Sequence, residues 1–214
     1  MLKGLRRRCV TAALAVALGM PLGAKAAIIH ESASLGTTGQ TDADPNLLIT
    51  GVQWLGSRFS LSEAVNVTQI GGHMFGEFGS IFGAIVELAS PTATPADQAD
   101  VLSNVVASTT FSPPSSSTDF RAPLSVALAA GDYALVFGSG NFGVSGQSRM
   151  PTNNPDLPGA SYFFCVTLLC VDGDIENIRF VVEGTVVPLP AALPLLASAL
   201  AALGLLGWRW RQAA

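Results

Sequence analysis

The sequence predicts a mainly β protein: an antiparallel β-sandwich or jelly-roll-like domain, flanked by an N-terminal signal-peptide helix and a C-terminal transmembrane helix. Three observations favour this class. Short runs rich in Phe, Val and Ile alternate with clusters of Gly, Ser, Pro, Asn and Asp. Apolar stretches stand near both ends of the chain. Only 12% of the 214 residues are charged, which is about half the fraction in ordinary soluble domains.

The N-terminus has the three parts of a secretory signal peptide. Residues 1–8 carry three arginines and one lysine, and residues 9–18 form an apolar run. Ala24 and Ala26 then supply the small-x-small pattern that signal peptidase reads, which places the cleavage before Ala27. The alternative is an uncleaved anchor, but the apolar run is shorter than the roughly 20 residues that span a bilayer. We therefore expect a cleaved, Sec-type signal peptide.

Residues 27–186 are predicted to form one exported β domain after the signal peptide, which occupies residues 1–26. Residues 95–107 are ambiguous and are compatible with a short helix. The runs that favour strands lie at 53–61, 65–74, 81–88, 120–128, 132–137, 161–169 and 177–182. The residues expected in or near the core are Phe59, Val65, Val67, Val136 and Phe180. Several short strands separated by turn residues are typical of sandwiches and jelly rolls.

The charge of this domain limits its partners. Residues 27–187 hold all fifteen acidic residues, four arginines and no lysine, which gives a formal charge of −11. Nucleic acid is excluded as a partner, because binding to phosphates depends on Lys and Arg side chains. An anionic membrane surface is disfavoured for the same reason.

The most distinctive polar motif contains Asp172, Asp174 and Glu176. In an extended chain these residues would share one face, at about 6.6 Å per two residues. Paired carboxylates at such separations perform glycoside hydrolysis, and oxygen-rich loops bind calcium. The exported region has one tryptophan, Trp54, and two tyrosines, which is little flat aromatic surface for a sugar cleft. A solvated turn is therefore favoured over a calcium site, and a calcium site over catalysis.

Residues 138–143 match the pattern G-x-G-x-x-G, but the following Val-Ser-Gly-Gln-Ser does not start the helix that a dinucleotide site needs. A glycine-rich loop is the expected structure. Together with Trp54, residues 138–149 define the surface of an alternative hypothesis, a carbohydrate-binding module or adhesin. His30 and His73 have no zinc spacing and no catalytic partner. Both are expected to be structural, no enzyme site is recognised, and calcium is the one cofactor considered.

Cys165 and Cys170 are the cysteines that remain after signal removal, and an oxidising compartment makes a disulfide the default expectation. The geometry of a strand over 161–169 opposes it. Five residues of extended chain span about 16 Å, whereas a disulfide needs Cα atoms within roughly 7 Å. A bond would therefore force a loop between Phe164 and Val171.

The C-terminus has the composition of a membrane span. Residues 189–208 are 20 residues without a charge, and a helix of that length crosses a bilayer core. Trp208 suits the interface, and Arg209 and Arg211 place the basic tail 209–214 in the cytoplasm by the positive-inside rule. With the signal peptide removed, the β domain would lie outside and be held in the inner membrane by this helix.

A short proline motif leads into the span and consists of Val187, Pro188, Leu189, Pro190 and Ala191. The motif, the apolar helix and the arginine-rich end, in this order, resemble the PEP-CTERM sorting signal of Gram-negative bacteria, in its VPLPA-CTERM variant. The resemblance implies that an exosortase, a membrane cysteine transpeptidase-like enzyme, recognises residues 187–214 and removes the tail. Leu189 stands where the commonest form of the motif has Glu, which leaves the exosortase type open. The family also implies association with exopolysaccharide.

Three functions follow as hypotheses. The first is a non-enzymatic surface or extracellular-matrix protein, exported by Sec, cut by signal peptidase, sorted by an exosortase-like enzyme and associated with extracellular polysaccharide. Its precursor would be anchored in the inner membrane, and the mature protein would reach the cell surface or the biofilm matrix of a Gram-negative bacterium. The second is the carbohydrate-binding module or adhesin, which requires exposed, coplanar aromatic rings. The third is a glycoside hydrolase, which requires a cleft with converging carboxylates.

Overall fold

The computed structural model describes residues 26–39, 45–173 and 175–187. Of these residues, 58% lie in strands and 4% in helix, so the predicted mainly β class is confirmed. The strands form two antiparallel sheets whose arrangement is consistent with a β-sandwich. Apart from Ala26, Ala27 and Val187, the predicted processing sites and the proposed membrane span lie outside the described residues. Within the described ranges, no helix is long and apolar enough to cross a bilayer.

The first sheet is built around one long central strand. Its members are β1 (Ala27–Glu31), β2 (Asn46–Ile49), β4 (Val65–Gly79), β7 (Thr118–Leu128), β9 (Gly146–Pro151) and β12 (Phe180–Val186). Their order is β1-β12-β4-β9-β2, and β7 also pairs with β4. The 15 residues of β4 are enough to pair with β12 and β7 along the first part and with β9 along the end.

The second sheet has the order β11-β10-β3-β8-β5-β6. Its members are β3 (Gln53–Leu61), β5 (Ile81–Leu88), β6 (Val105–Phe111), β8 (Gly131–Gly138), β10 (Tyr162–Val166) and β11 (Leu169–Asp172). One short helix, α1 (Gln98–Ser103), lies between β5 and β6. It begins at Asp97, whose carboxylate accepts the Asp100 amide (2.8 Å) and so caps the first turn.

The main core lies between the two sheets, as the alternation of side chains along each strand requires. On β3, Leu55 and Phe59 point into this core. The first sheet contributes Ile70 and Phe180, and the ring of Phe180 stacks on Phe137 of β8 at 5.4 Å. The five residues that the sequence placed in or near the core are all buried.

A second apolar cluster covers the outer face of the second sheet. Trp54, Phe82 and Val136 point away from the main core and pack with Val101 of α1 and with Cys165. The second sheet is therefore buried on both faces. Strands β3, β5 and β8 are accordingly buried along most of their length.

The structure corrects one predicted strand. The run 161–169 is not continuous, because the chain turns at Thr167 and Leu168 and separates β10 from β11. Strands β1, β2, β6 and β9 were not predicted; they are only four to seven residues long, and their pairing with distant strands makes them part of a sheet. The helix lies within the range that was left ambiguous.

Both ends of the described chain meet at one end of the domain, which we call the exit end. Ala27 pairs with Gly184 across β1 and β12, and the Val187 amide donates to the Ala64 carbonyl (2.9 Å). The opposite end, the far end, carries the β10–β11 turn, the start of β3 and the β8–β9 loop. The nine residues of β3 separate the two ends by about 30 Å.

Candidate functional site

The candidate site is built around Arg58, which projects from β3 onto the outer face of the second sheet. Its Nε donates to the Ala93 carbonyl (2.9 Å), and its Nη1 donates to Ser161 Oγ (2.9 Å) and to the Tyr162 carbonyl (3.1 Å). Its Nη2 donates to Asp172. The Arg58 side chain is only 5% exposed, whereas that of Asp172 is 68% exposed. A buried cation is thus neutralised by a carboxylate at the surface.

A pocket of about 360 Å³ opens beside this ion pair. Its lining residues are Arg58, Thr92, Asp156, Ala160, Ser161, Tyr162, Asp172, Gly173 and Ile175. The carboxylates of Asp156 and Asp172 and the hydroxyl groups of Thr92 and Ser161 supply most of its polar groups. The pocket therefore presents mainly hydrogen-bond acceptors and hydroxyls, a set suited to a neutral, hydroxyl-rich ligand.

Hydrogen bonds fix both carboxylates of the pocket. Asp156 Oδ1 accepts the Tyr162 hydroxyl (2.6 Å) and the Asn177 amide (2.8 Å), and burial together with this carboxylate raises the pKa of Tyr162. Hydrogen bonds from Thr94 and then from Arg58 lower the pKa of Asp172. Asp172 is therefore ionised at neutral pH, and Tyr162 remains a neutral donor.

The extended arrangement that would place Asp172, Asp174 and Glu176 on one face is not found in the described residues. Strand β11 ends at Asp172, so Glu176 does not belong to it. Asp172 binds Arg58, Asp174 lies outside the described residues, and Glu176 lines a separate pocket of about 310 Å³ with Asn46 and Asn177. Among the residues that the structure describes, no group of three or more His, Cys, Asp or Glu side chains is placed to hold a metal ion.

The predicted role of Trp54 as part of an exposed sugar-binding face is wrong. Trp54 is fully buried, its Nε1 donates to the Ser139 carbonyl (3.1 Å), and its ring meets the ring of Phe82 edge-on at 5.0 Å. The cause is that residues of α1 and of the loop after β8 pack over this face of the sheet and enclose the indole. The loop after β8 contains no helix, and its Phe142, at a φ of 54°, is 41% exposed.

Both histidines are held inside the structure. His30 Nε2 lies 3.0 Å from Ser57 Oγ, and its ring stacks on Phe59 at 5.1 Å. Burial lowers the pKa of His30 to about 4. His73 is fully buried beside Asn154 (Nδ1–Oδ1 2.8 Å), and burial also lowers its pKa. Both are neutral at pH 7, which agrees with a structural role.

The other arginines are also ion-paired. Arg121 contacts Asp119 (2.8 Å) and Glu183 (2.7 Å), and Arg179 contacts Asp119 (3.0 Å) and Glu31. Arg149 pairs with Glu77. Each arginine in the described ranges therefore has a carboxylate partner within the domain. This part of the chain offers no unpaired guanidinium to an anionic ligand.

A disulfide joins Cys165 of β10 to Cys170 of β11. The two residues are directly opposite in the antiparallel pair, because the chain folds back at Thr167 and Leu168. This turn is the loop that a bond was expected to force between Phe164 and Val171. Both cysteines are buried in the outer cluster with Trp54.

Sequence reasoning did not find the site around Arg58, although one signal was available. Arg58 stands inside the apolar run of β3, at a position that faces a buried surface, and a buried charge requires partners. Those partners come from distant loops, around Thr94, Ser161 and Asp172.

No family model, curated protein or solved structure matches this chain.

Proposed function

We propose that the chain is a non-enzymatic exported protein of the cell surface or extracellular matrix of a Gram-negative bacterium. An N-terminal signal helix directs it to Sec, and a transmembrane helix holds the precursor in the inner membrane. An exosortase-like enzyme then recognises the motif from Val187 to Ala191 and removes the tail. The β domain would act by association with extracellular polysaccharide.

One observation carries this proposal: both proposed processing sites flank the same end of the domain. Ala27, the expected first residue after signal peptidase cleavage, is paired with Gly184, three residues before the motif begins at Val187. Neighbouring chain ends allow both membrane segments to enter one membrane beneath the folded domain. The Val187 amide is still held by Ala64 (2.9 Å), so a cut after this residue would leave β12 intact.

The test is the intact mass of the protein recovered from the cell surface of a bacterium that has an exosortase system. We expect a mass that begins at Ala27 and ends near Val187. Replacing Pro188 and Pro190 with alanine should leave full-length chain in the inner membrane, because proline keeps the preceding residue extended and accessible to a protease. Pro194→Ala, in the same segment but outside the motif, should be processed normally.

Two results would contradict the sorting proposal. A surface protein that still contains Trp208 and Arg211 would be a permanently anchored protein. Normal processing of the Pro188→Ala, Pro190→Ala variant would show that the motif is not what the enzyme recognises.

A second candidate function, a carbohydrate-binding module, is favoured by the pocket beside Arg58. Its two carboxylates and two hydroxyl groups are the polar groups that neutral sugars bind, although the pocket contains no exposed aromatic ring. A glycan array tests it. Asp172→Asn should reduce any neutral-glycan signal, whereas Glu63→Gln, at an exposed carboxylate of the exit end, should not. An array without a signal would leave the matrix role without direct sugar recognition at this pocket.

A further inference from the structure

Five apolar side chains stand exposed together at the far end of the domain, and we call them the far-end surface. They are Val52 (64% exposed), Phe142 (41%), Val166 (41%), Leu168 (85%) and Leu169 (53%). Isolated exposed apolar residues are normal in soluble proteins, but neighbouring ones mark interaction sites. The far-end surface is therefore a candidate interaction site.

The register of the strands brings these segments to the same end of the domain. Val166 pairs with Leu169 across the hairpin and with Gln53, the neighbour of Val52, on β3. The loop that carries Phe142 lies against the turn between β2 and β3, which carries Val52. A Cβ placed on Gly140 of that loop would stand 3.1 Å from the Gly51 Cα. Three segments that are distant in sequence thus form one apolar end.

The segments that form this end contain no charge. Residues 45–57, 133–148 and 157–171 have no Asp, Glu, Lys or Arg, in a domain whose formal charge is −11 over residues 27–187. The exposed apolar side chains of these segments therefore have no charged group between them that could pair with a partner. Anionic lipid headgroups would be repelled by the domain and would find no cation here.

The surface is also rigid. The disulfide between Cys165 and Cys170 closes the hairpin directly below Val166 and Leu169. The Cys170 amide donates to the Ala96 carbonyl (2.9 Å), which ties the hairpin to the segment before α1. Ordered apolar side chains lose little conformational entropy when they are buried by a partner.

The area of this surface is too small for a stable dimer. The largest of the five side chains is that of Phe142, and a fully buried aromatic side chain covers about 200 Å². All five are already partly covered by the domain. Together they expose at most about 600 Å², below the roughly 800 Å² per partner of a standard protein interface. A lipid surface sets no minimum contact area of this kind, because the strength of peripheral binding scales with the apolar area that is inserted.

We propose that the far-end surface inserts into the apolar layer of an uncharged, zwitterionic lipid surface. The chain leaves the domain at the exit end, about 30 Å away. Val187, the last described residue before the proposed tail, and the far-end surface therefore lie at opposite ends of the domain, and a molecule held by the tail can contact a second membrane. The inference adds lipid contact to the proposed function, and its test uses the tail as the anchor.

The test reconstitutes the full chain into vesicles of phosphatidylcholine and adds labelled, protein-free vesicles of the same lipid. Parallel samples receive labelled vesicles that contain anionic lipid, or labelled vesicles that also carry the protein. We expect the wild-type chain to recruit the labelled vesicles. The variant Val52→Ser, Leu168→Ser, Leu169→Ser should recruit them at least about tenfold less, because three apolar side chains no longer enter the lipid. The control Ile28→Ser, Val186→Ser removes residues that are 51% and 41% exposed at the exit end and should recruit them normally.

Flotation of the protein with the vesicles into which it was reconstituted is measured separately, because it shows whether the tail anchors the chain. A chain that stays in solution would contradict the proposed tail anchor, and its direct binding to phosphatidylcholine vesicles would then test the far-end surface with the same variants. Retention of the β circular dichroism spectrum and of the disulfide shows that each variant is folded.

Four results would overturn the inference. They are no recruitment by the wild-type chain, equal loss in the exit-end control, recruitment only by vesicles with anionic lipid, and recruitment only when both vesicle populations carry the protein. The last would assign the surface to a second copy of the chain.

Discussion

Asn154 determines the protonation state of the buried His73. Its Nδ2 donates to the carbonyls of Pro151 (2.7 Å) and Asn177 (3.2 Å), so its Oδ1 faces His73 and also accepts the Gly36 amide (2.9 Å). His73 Nδ1 must therefore carry the proton. Nε2 then has a lone pair, and it has no hydrogen-bond partner among the described residues. Protonation of Nε2 would place an imidazolium in the core.

Acidification should destabilise the domain because its histidines resist protonation. Burial lowers the pKa of His30 to about 4, whereas a histidine in an unfolded chain titrates near about 6.5. Between these values the unfolded state binds more protons than the folded state, so the free energy of unfolding decreases as the pH falls. His30 accounts for at most about 3 kcal/mol of this loss. His30→Gln should reduce the loss, measured by urea unfolding at about pH 7 and pH 4.5.

The curve at pH 7 is the control for that variant, since both histidines are neutral there and any direct cost of the substitution is measured without titration. Titration of Asp172 does not contribute to the difference between the two pH values, because its pKa is lowered from its ordinary value and so lies below both. An unfolding midpoint of the wild-type protein that is equal at both pH values would contradict the prediction.

The two partners of the Arg58–Asp172 pair should contribute unequally to stability. Arg58→Leu leaves the Ala93 and Tyr162 carbonyls without their donor, and we expect a loss of about 2–4 kcal/mol. Asp172→Asn should cost about 1 kcal/mol or less, because this side chain is 68% exposed. Thermal unfolding of the two variants measures the difference.

Arg149→Leu is the matched control, because Arg149 also pairs with a carboxylate but its side chain is 32% exposed. It should cost about 1 kcal/mol or less. Equal losses for the Arg58 and Arg149 variants would show that the buried hydrogen bonds of Arg58 do not stabilise the domain.

At the scale of elements, the β10–β11 hairpin links three parts of the domain. It extends the second sheet through the pairing of β10 with β3. It also lies against the outer cluster through Cys165 and Cys170, and it contacts the segment before α1 through the Ala96 carbonyl. Turn residues are absent between the cysteines, so these tertiary contacts, and not local propensity, hold the turn.

Removal of the disulfide should therefore destabilise the whole domain. The bond closes a ring of few residues, and a short loop of this kind contributes about 2 kcal/mol in the chain-entropy description. We expect Cys165→Ser, Cys170→Ser to lose about that amount in urea unfolding, and reduction of the wild-type protein to give the same loss. Two titratable thiols in the unreduced, unfolded mature protein would contradict the existence of the bond in solution.

At the scale of the whole molecule, the domain combines one sheet buried on both faces with one sheet whose outer face carries charges. The outer face of the first sheet holds the ion pairs of Arg121 and Arg179 with Asp119. The outer face of the second sheet is covered by α1 and the β8–β9 loop. All strands of the described residues and both apolar clusters lie between residues 27 and 186.

The fragment 27–187 should consequently fold without the segments on either side. We expect a far-ultraviolet circular dichroism spectrum dominated by β-structure and one cooperative unfolding transition, because a domain of this size with a continuous core unfolds as a unit. A spectrum dominated by helix, or no cooperative transition, would contradict this. The fragment that begins at residue 33 is the control; it lacks β1, the partner of β12, and should unfold at a lower temperature.

The sequence by itself determined the fold class, most of the long strands and the five core residues, because apolar β-rich runs and turn clusters are local signals. It also carries the predicted export and sorting signals, which are linear patterns that need no fold to be recognised. The bounds of β3 and β5 agree with the prediction. Short strands such as β1 and β9 exist only because a distant strand offers hydrogen bonds to them.

Only the tertiary structure decided where the functional candidates lie. Trp54 is buried because α1 and the β8–β9 loop cover its face of the sheet, and none of those contacts is visible in the run 53–61. Asp172 meets Arg58 across 114 positions of sequence, while Glu176 of the same acidic motif lines another pocket. Charge and burial act through distance in space, which local sequence patterns do not contain.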